Sequence, residues 1–380
     1  MATPLYTYMV HDLITNAPLG ELPLTGVRHT HRLNDSGTLT ATFNLDTKTA
    51  TRRRVKDPYD WTTPVTRCLY AYRDERPVWG GILWTRRYDS TTRTVQLGAA
   101  DWWSYYDHRR LLPVLPANPP VDLVARQQVQ YTNIDQNEIA RRLVQLAHAH
   151  TGGNINVQLD ASLSDVRRDR TYAGYELTTI GDALRNLANV QGGPDMMFGV
   201  ATTLDPRGRP IRQLQVGDPY LGQQGSAHVF ETGGNITGYT WPTDGTRYAS
   251  RAFATGDGAA EGMPIAVAED HDRYPHGWPL TEIEQGYSAV TDPDTLQQHA
   301  DADQRVARLP VVLPTLTVRG DLHPTVGEWA VGDDARVEID DDFMVDGIST
   351  SMRIVADEIA PGDDTEVVTL TMAPLLDDVA

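Results

Sequence analysis

The sequence predicts a mostly β chain of the α+β class, with two strand-rich domains that curl as small antiparallel barrels and an α+β region between them. Three observations predict it. PVWGGILWTRRYDSTTRTVQLGAAD (77–101) and FMVDGISTSMRIVADEIAPGDDTEVVTLTMAP (343–374) share one outline, two strand-like runs joined by a polar turn. Residues 21–46 alternate apolar and polar side chains on either side of the turn NDSG. The middle of the chain carries two helices with clear start and stop signals.

Taken in order, VRHTHRL and TLTATFNLD form the first hairpin. Thr38, Thr40 and Thr42 face one way, and Leu39, Ala41, Phe43 and Leu45 the other, with a slip after Phe43. His29 and His31 share a face of the preceding strand. Two imidazoles could begin a metal site, but no third ligand is nearby, so they read as polar face residues. TRCLYAYRD and PVWGGILWTRRY flank the turn RDERP, and TRTVQLGAAD closes the meander; Gly80-Gly81 predicts a bulge or a sharp bend. The aromatic cluster Trp102, Trp103, Tyr105 and Tyr106 could stack bases or sugars, but reads better as packing between domains. A proline-rich boundary follows.

The first helix has Asp135 as N-cap, Glu138 three residues on, an apolar stripe of Ile139, Leu143, Leu146 and Ala147, and Gly152-Gly153 as its stop. His148 and His150 in its last turn suit the helix dipole and require no metal. The second is capped by Thr179, with Asp182 in its first turn, an inward face of Ile180, Ala183, Leu184 and Leu187, and Gly192, Gly193 and Pro194 as terminators. Strands MMFGVATTLD and IRQLQVGD turn through PRGRP. A third helix is expected from Asp292 (cap) and Pro293, with a thin stripe of Leu296, Ala300, Val306 and Ala307. The expected domains are 1–111, an N-terminal β-barrel; 112–232, α+β with two helices; 233–290, β-rich and connecting; and 291–380, a helix plus a second β-barrel.

Composition narrows the function. The formal charge of −18 argues against sequence-specific DNA binding, since the basic runs Arg52-Arg53-Arg54 and Arg167-Arg168 are isolated. A single cysteine excludes an internal disulfide and a multi-cysteine zinc site. Cys68, in an alternating run with Tyr70 and Tyr72, reads as a buried thiol. No run approaches the roughly 20 apolar residues of a membrane span, and the N-terminus lacks a signal-peptide pattern, so the chain is expected to be made in the cytoplasm and not to bind membranes stably. There is no Walker loop, GxGxxG, HExxH or GxSxG. Asp340, Asp341 and Asp342 read as a solvated turn without calcium-loop spacing. Asp270, His271, Asp272 and His276 lie close in sequence and could form an acid–base or metal site, but read better as a polar loop. No catalytic residue, cofactor or metal is expected.

The order of elements resembles the tail hub, or minor tail protein, of siphophages, above all those of actinobacteria. LPLTGVRHTHRLNDSGTLTATF, VWGGILWTRR with TVQLGAADWWSYYDHR, TIGDALRNLANVQGG, and the run from TLQQHADADQRVARLPVVLPTLTV through VGDDARVEI, MRIVADEI and EVVTLTMAP carry the likeness; residues 245–290 match least. An arginine-dominated basic set, with lysine only at Lys48 and Lys56, suits a GC-rich genome of that kind. The resemblance implies two tube-like barrels per chain in a tail-hub-like fold, and a homotrimeric ring that adapts a sixfold tail tube to a threefold tip. It implies a distal tail protein or tail tube above, fibre or spike proteins below, a tape-measure protein, and genomic DNA only in transit through the bore. It implies a virion protein at the tail tip. Excess negative charge is expected on the ring's inner wall. A tail-associated wall hydrolase using the His271 loop, or a carbohydrate-binding tail-tip protein using Trp102 to Tyr106, is the alternative. Hub relatives that are hydrolases carry an added C-terminal domain, for which no room is expected after EVVTLTMAP.

Overall fold

The computed structural model describes residues 4–45, 55–190, 192–225, 228–258, 260–287, 293–362 and 365–375. The Arg52-Arg53-Arg54 run and the Asp292 cap lie outside them. The chain divides into two compact units, residues 1–238 with 316–380, and residues 239–315.

The first unit begins with seven strands: β1 Tyr6–Asp12, β2 Pro18–Glu21, β3 Leu24–Arg32, β4 Thr38–Asn44, β5 Arg67–Arg73, β6 Arg76–Asp89 and β7 Thr94–Ala100. Their pairing path is β2-β1-β5-β6-β7-β4-β3, an open path and not a closed ring. Leu39, Phe43, Leu69, Trp79, Leu83 and Leu97 fill one face of this sheet. Alternation dictates this, because every second side chain of a strand shares a face. The other face, through Cys68, Tyr70 and Ile82, joins the core of the α+β region.

That region contains β8 Gln128–Asp135, α1 Gln136–His148, β9 Val157–Leu159, β10 Arg167–Ala173, α2 Ile180–Ala188, β11 Met196–Leu204 and β12 Pro210–Val216. Both helices start as their caps dictate. Asp135 Oδ1 accepts the amides of Asn137 (2.9 Å) and Glu138 (3.2 Å), and Thr179 Oγ1 accepts that of Asp182 at 2.9 Å. Their apolar faces pack with Met196, Phe198 and Leu214 of the β11–β12 hairpin.

Next come β13 His228–Glu231 and β14 Ile236–Thr240, on which the first unit breaks off. The second unit holds β15 Thr243–Asp244, β16 Arg251–Thr255, β17 Ile265–Glu269, β18 Glu282–Gly286, α3 Pro293–Ala307 and β19 Val311–Val312. Leu296 and Ala300 pack there on Ala254, Ala266 and Ala268. The third helix therefore packs with these strands, whereas the sequence reading grouped it with the C-terminal barrel in 291–380. Val306, expected on its apolar stripe, is 83 % exposed. At 3.6 residues per turn, 296, 300 and 307 share a face and 306 does not.

The first unit resumes with β20 Thr315–Arg319, β21 Asp334–Ile339, β22 Ile348–Pro361 and β23 Glu366–Pro374. Here the path is β13-β21-β22-β23-β20-β14, against β1-β5-β6-β7-β4-β3 at the N-terminus. In chain order, each strand of one set takes the position of its counterpart in the other. One difference stands out: β1 runs antiparallel to β5, whereas β13 runs parallel to β21. The sets join where β3, the edge strand of the first, pairs with the portion of β22 that β21 leaves uncovered, giving one sheet of thirteen strands.

Gly80-Gly81 is not itself the bulge. Both glycines pair regularly with Tyr70 and Leu69, and the register slips on either side of them, between Pro77 and Trp79 and between Leu83 and Thr85. The glycines instead permit close approach. A Cβ at Gly80 would lie 2.7 Å from Val200, 2.8 Å from Tyr70 and 2.9 Å from Trp102.

Candidate functional site

Along the seam, β22 opposes β3 as Ala356↔Arg32, Asp357↔His31, Glu358↔Thr30 and Ile359↔His29. The two strand sets are thus held by a ladder between β3 and the part of β22 that β21 leaves uncovered, and it carries Arg32, His31, Asp357 and Glu358 among uncharged side chains. Asp357 Oδ1 lies 2.8 Å from His31 Nδ1 and also accepts the His31 amide at 2.9 Å. His31 Nε2 lies 3.0 Å from the Val78 carbonyl. A carbonyl only accepts, so Nε2 donates; with the Asp357 carboxylate on Nδ1, both nitrogens carry protons and His31 is a cation. Burial opposes that charge, but the Asp357 carboxylate outweighs it and raises the imidazole to about 9.

His29, two residues earlier, is fully buried, and its ring stands edge-on to His31 at 5.7 Å. Neither of its nitrogens has a hydrogen-bond partner among the described residues. Burial, together with the neighbouring His31 charge, lowers it to about 3, so it is neutral. The paired histidines are one cation and one neutral ring on a strand seam. Among the described residues no group of three or more His, Cys, Asp or Glu is placed to hold a metal ion.

Further contacts span the seam. Arg28 meets Glu358 at 2.7 Å on the surface. The buried Glu366, at the start of β23, takes Arg73 Nε at 2.6 Å, Arg73 Nη2 at 2.9 Å and Tyr6 Oη at 2.5 Å. Within the N-terminal set, Trp79 Nε1 donates to Thr30 O at 3.1 Å and so braces the seam strand β3. Sequence reading did not single out Asp357, Glu358 or Glu366. The available signal was acids inside strand runs, RIVADEI and TEVVTL, where burial demands partners.

The other sequence candidates lie elsewhere. Trp102, Trp103 and Tyr106 are fully buried. Trp102 donates to Gly199 O at 3.0 Å, Tyr106 stacks on Phe198 with centroids 4.9 Å apart, and the half-buried Tyr105 donates to Gly153 O at 3.0 Å. The cluster is core and presents no stacking platform. Cys68 is buried, 3.3 Å from Arg212 Nη2, and burial pushes its thiol up. Asp270, His271, Asp272 and His276 stay a loop of the second unit: His271 is 74 % exposed and its Nδ1 lies 3.3 Å from Glu269 Oε1. Asp341 accepts the amides of Phe343 and Met344, both at 2.9 Å, which closes an acidic turn. Among the described residues no helix is long and apolar enough to cross a membrane.

No family model matches the chain, and no curated protein sequence matches it. Solved structures do. The 43 kDa tail protein of prophage MuSo2 from Shewanella oneidensis superposes with a TM-score of 0.62 at 13% identity, covering 98% of this chain and 99% of that one. The tail protein from Neisseria meningitidis MC58 gives 0.57 at 14% identity, covering 96% of each. Prophage tail protein gp18 from Listeria monocytogenes EGD-e gives 0.53 at 12% identity, covering 96% and 94%. Over nearly its whole length, the chain has the fold of these phage tail proteins.

Proposed function

We propose that this chain is a structural protein of a phage tail, a hub at the tail tip that forms a homotrimeric ring around the DNA exit channel. The observation that carries the reading is the repeated six-strand order inside one chain, on a fold shared end to end with phage tail proteins. Each strand set would curl as one tube-like module, so three chains would present six similar modules. That arrangement fits a sixfold tube above and threefold fibre or spike components below. A distal tail or tube protein and the tape-measure protein are the expected neighbours, and the virion tail tip the expected location after synthesis in the host cytoplasm.

The ring would carry a formal charge of −18 per chain. Concentrated on the inner wall, that charge would repel phosphates and let DNA pass without sticking. The carbohydrate-binding alternative loses its platform, because Trp102, Trp103 and Tyr106 are buried; for the wall hydrolase, the His271 loop offers one exposed imidazole beside Glu269. Light scattering or native mass spectrometry of the purified chain is expected to give three copies, and electron microscopy a ring with an acidic bore. A monomer at every concentration, or a basic bore, would refute the hub. Zymography on host cell wall is expected to show no clearing.

A further inference from the structure

We infer that the outer edge of β6, Thr85–Tyr88, is completed by segment 241–244 of a second copy of this chain, added as an antiparallel strand. The inference rests on the ring reading for the presence of a second copy. The residues come from register.

The two strand sets share their irregularities. β6 and β7 slip at Trp84, between Leu83↔Ala99 and Thr85↔Gly98; β22 and β23 slip at Val355, between Ile354↔Met372 and Ala356↔Thr371. On the opposite flank, pairing ends two residues before the bulge in both sets, at Cys68↔Ile82 and at Asp334↔Arg353. One more backbone bond follows in each, Val65 N to Leu83 O and Gly332 N to Ile354 O, both 2.8 Å. Thr85–Tyr88 therefore stand where Ala356–Ile359 stand.

The edge partners correspond as well. Thr25 Oγ1 donates to Thr42 O at 3.2 Å, and Thr237 Oγ1 to Thr317 O at 3.0 Å, within Leu24-Thr25-Gly26 and Ile236-Thr237-Gly238. Leu45 N donates to Arg93 O at 3.0 Å, and Gly320 N to Glu366 O at 2.9 Å. Counting on from Thr25 and Thr237, His29–Arg32 correspond to Trp241–Asp244. The first set of these residues is paired with Ala356–Ile359 inside the chain. Its counterpart is not: beyond Leu83, no described strand lies on the flank of β6 away from β7. Ile359 is 4 % exposed and Tyr88 53 %, while Pro242, Thr243 and Asp244 are exposed. A strand edge left open in this way is a template for another strand.

Charge points to the same occupant. Asp357 and Glu358 on β22 become Arg86 and Arg87 on β6, while His31 and Arg32 become Thr243 and Asp244. Glu366, which holds Arg73 across the internal seam, becomes Arg93. The counterpart of Arg73 is Ile339, beside Glu338 and Asp340. The acids of one side become arginines, while on the other side Arg32 becomes Asp244 and the cations His31 and Arg73 give way to uncharged Thr243 and Ile339, so the second seam is complementary to itself and not to the first. The contact is head-to-tail, using a different surface on each copy, and such contacts propagate until a ring closes.

The test is the double variant Arg87→Cys/Pro242→Cys in the full chain, the counterparts of the opposed pair Glu358 and Thr30. Directly opposed strand residues lie about 4.5–5.5 Å apart at Cα, within disulfide reach. Native Cys68 is buried and stays out of the reaction. Under mild oxidation, disulfide-linked trimers are expected from the double variant, and linked dimers from a mixture of the two single variants. Neither single variant alone should link. Three copies by mass with no cross-link would overturn the strand pairing and leave the ring standing. Cross-linked open chains of many lengths would keep the pairing and overturn ring closure. A monomer with no cross-link would overturn both. Arg93→Glu gives a second readout without a new thiol: weaker assembly, with dissociation at a protein concentration at least tenfold higher. Unchanged assembly counts against the pairing.

Discussion

Arg212 shows how much a single side chain can fix. It is 1 % exposed and lies over the Trp102 ring at 4.6 Å. Its guanidinium donates to Leu13 O (2.7 Å), Ile155 O (2.5 Å), Tyr70 Oη (2.8 Å) and Asn16 Oδ1 (3.1 Å), so it ties the turn after β1, β5 and the approach to β9. Arg212→Ala would leave the buried Leu13 and Ile155 carbonyls without this donor and Tyr70 Oη with only its bond to Asn16 Oδ1, and should cost about 3–5 kcal/mol, measured by urea unfolding. At the seam, His31 and His29 set a pH window. His31 is raised to about 9, so its contribution is full below its ordinary value of 6.5 and is lost as pH rises through 9. His29 is lowered to about 3, so its contribution is full above 6.5 and falls as pH drops toward 3. Thermal stability of the wild type should therefore peak near neutrality. His31→Gln should lower it most below pH 7, and the two curves should meet above about pH 9; parallel curves at all pH would show that the ion pair contributes nothing.

At the scale of elements, the helices follow from their own sequence. Asp135 and Thr179 cap where the residue types say they should, because a cap is a local bond over three residues. The strands were legible as strands from their alternation, but the job of Gly80 was not. Its neighbours Val200 and Trp102 come from distant parts of the chain, so only packing reveals the close approach. Gly80→Ala should cost about 1–3 kcal/mol through overpacking, seen as a lower urea midpoint with an unchanged slope. Had the glycine served only as a flexible hinge, alanine would be nearly neutral there. Val306 illustrates the opposite error: a thin apolar stripe read one residue too wide, with Val306 included beside the buried Ala307, because few apolar residues define the face.

For the molecule as a whole, the second unit occupies a defined place in the pattern. In the N-terminal set, β3 turns into β4 through Leu33–Gly37; in the C-terminal set, the chain leaves β14 and returns at β20 only after the whole second unit. The unit is an insertion at a hairpin turn, a position where chains accept added domains. Replacing residues 245–310 with Asn-Asp-Ser-Gly should leave a first unit that folds cooperatively and keeps the copy number of the intact assembly. Loss of folding would show that the insertion is part of the first unit's core. The repeat also explains why sequence saw only half of it. PVWGGILWTRRYDSTTRTVQLGAAD and its partner are contiguous hairpins, whereas Leu24-Thr25-Gly26 and Ile236-Thr237-Gly238 are three residues each, and the strand that follows the second is displaced by the insertion. The seam acids went unnoticed for the same reason: Asp357 meets His31 across more than three hundred residues.

By itself the sequence determined what local physics decides: strand alternation, two capped helices, a buried thiol at Cys68, the lack of a catalytic motif, and a repeated hairpin. The tertiary structure alone decided the order in which strands pair, the flank by which β3 meets β22, the protonation of His31 against His29, and the flank of β6 that no described strand covers. Pairing partners lie far apart along the chain, and no local pattern specifies which of several similar strand edges will meet; that choice is made only when the whole sheet forms and its buried charges must be satisfied together.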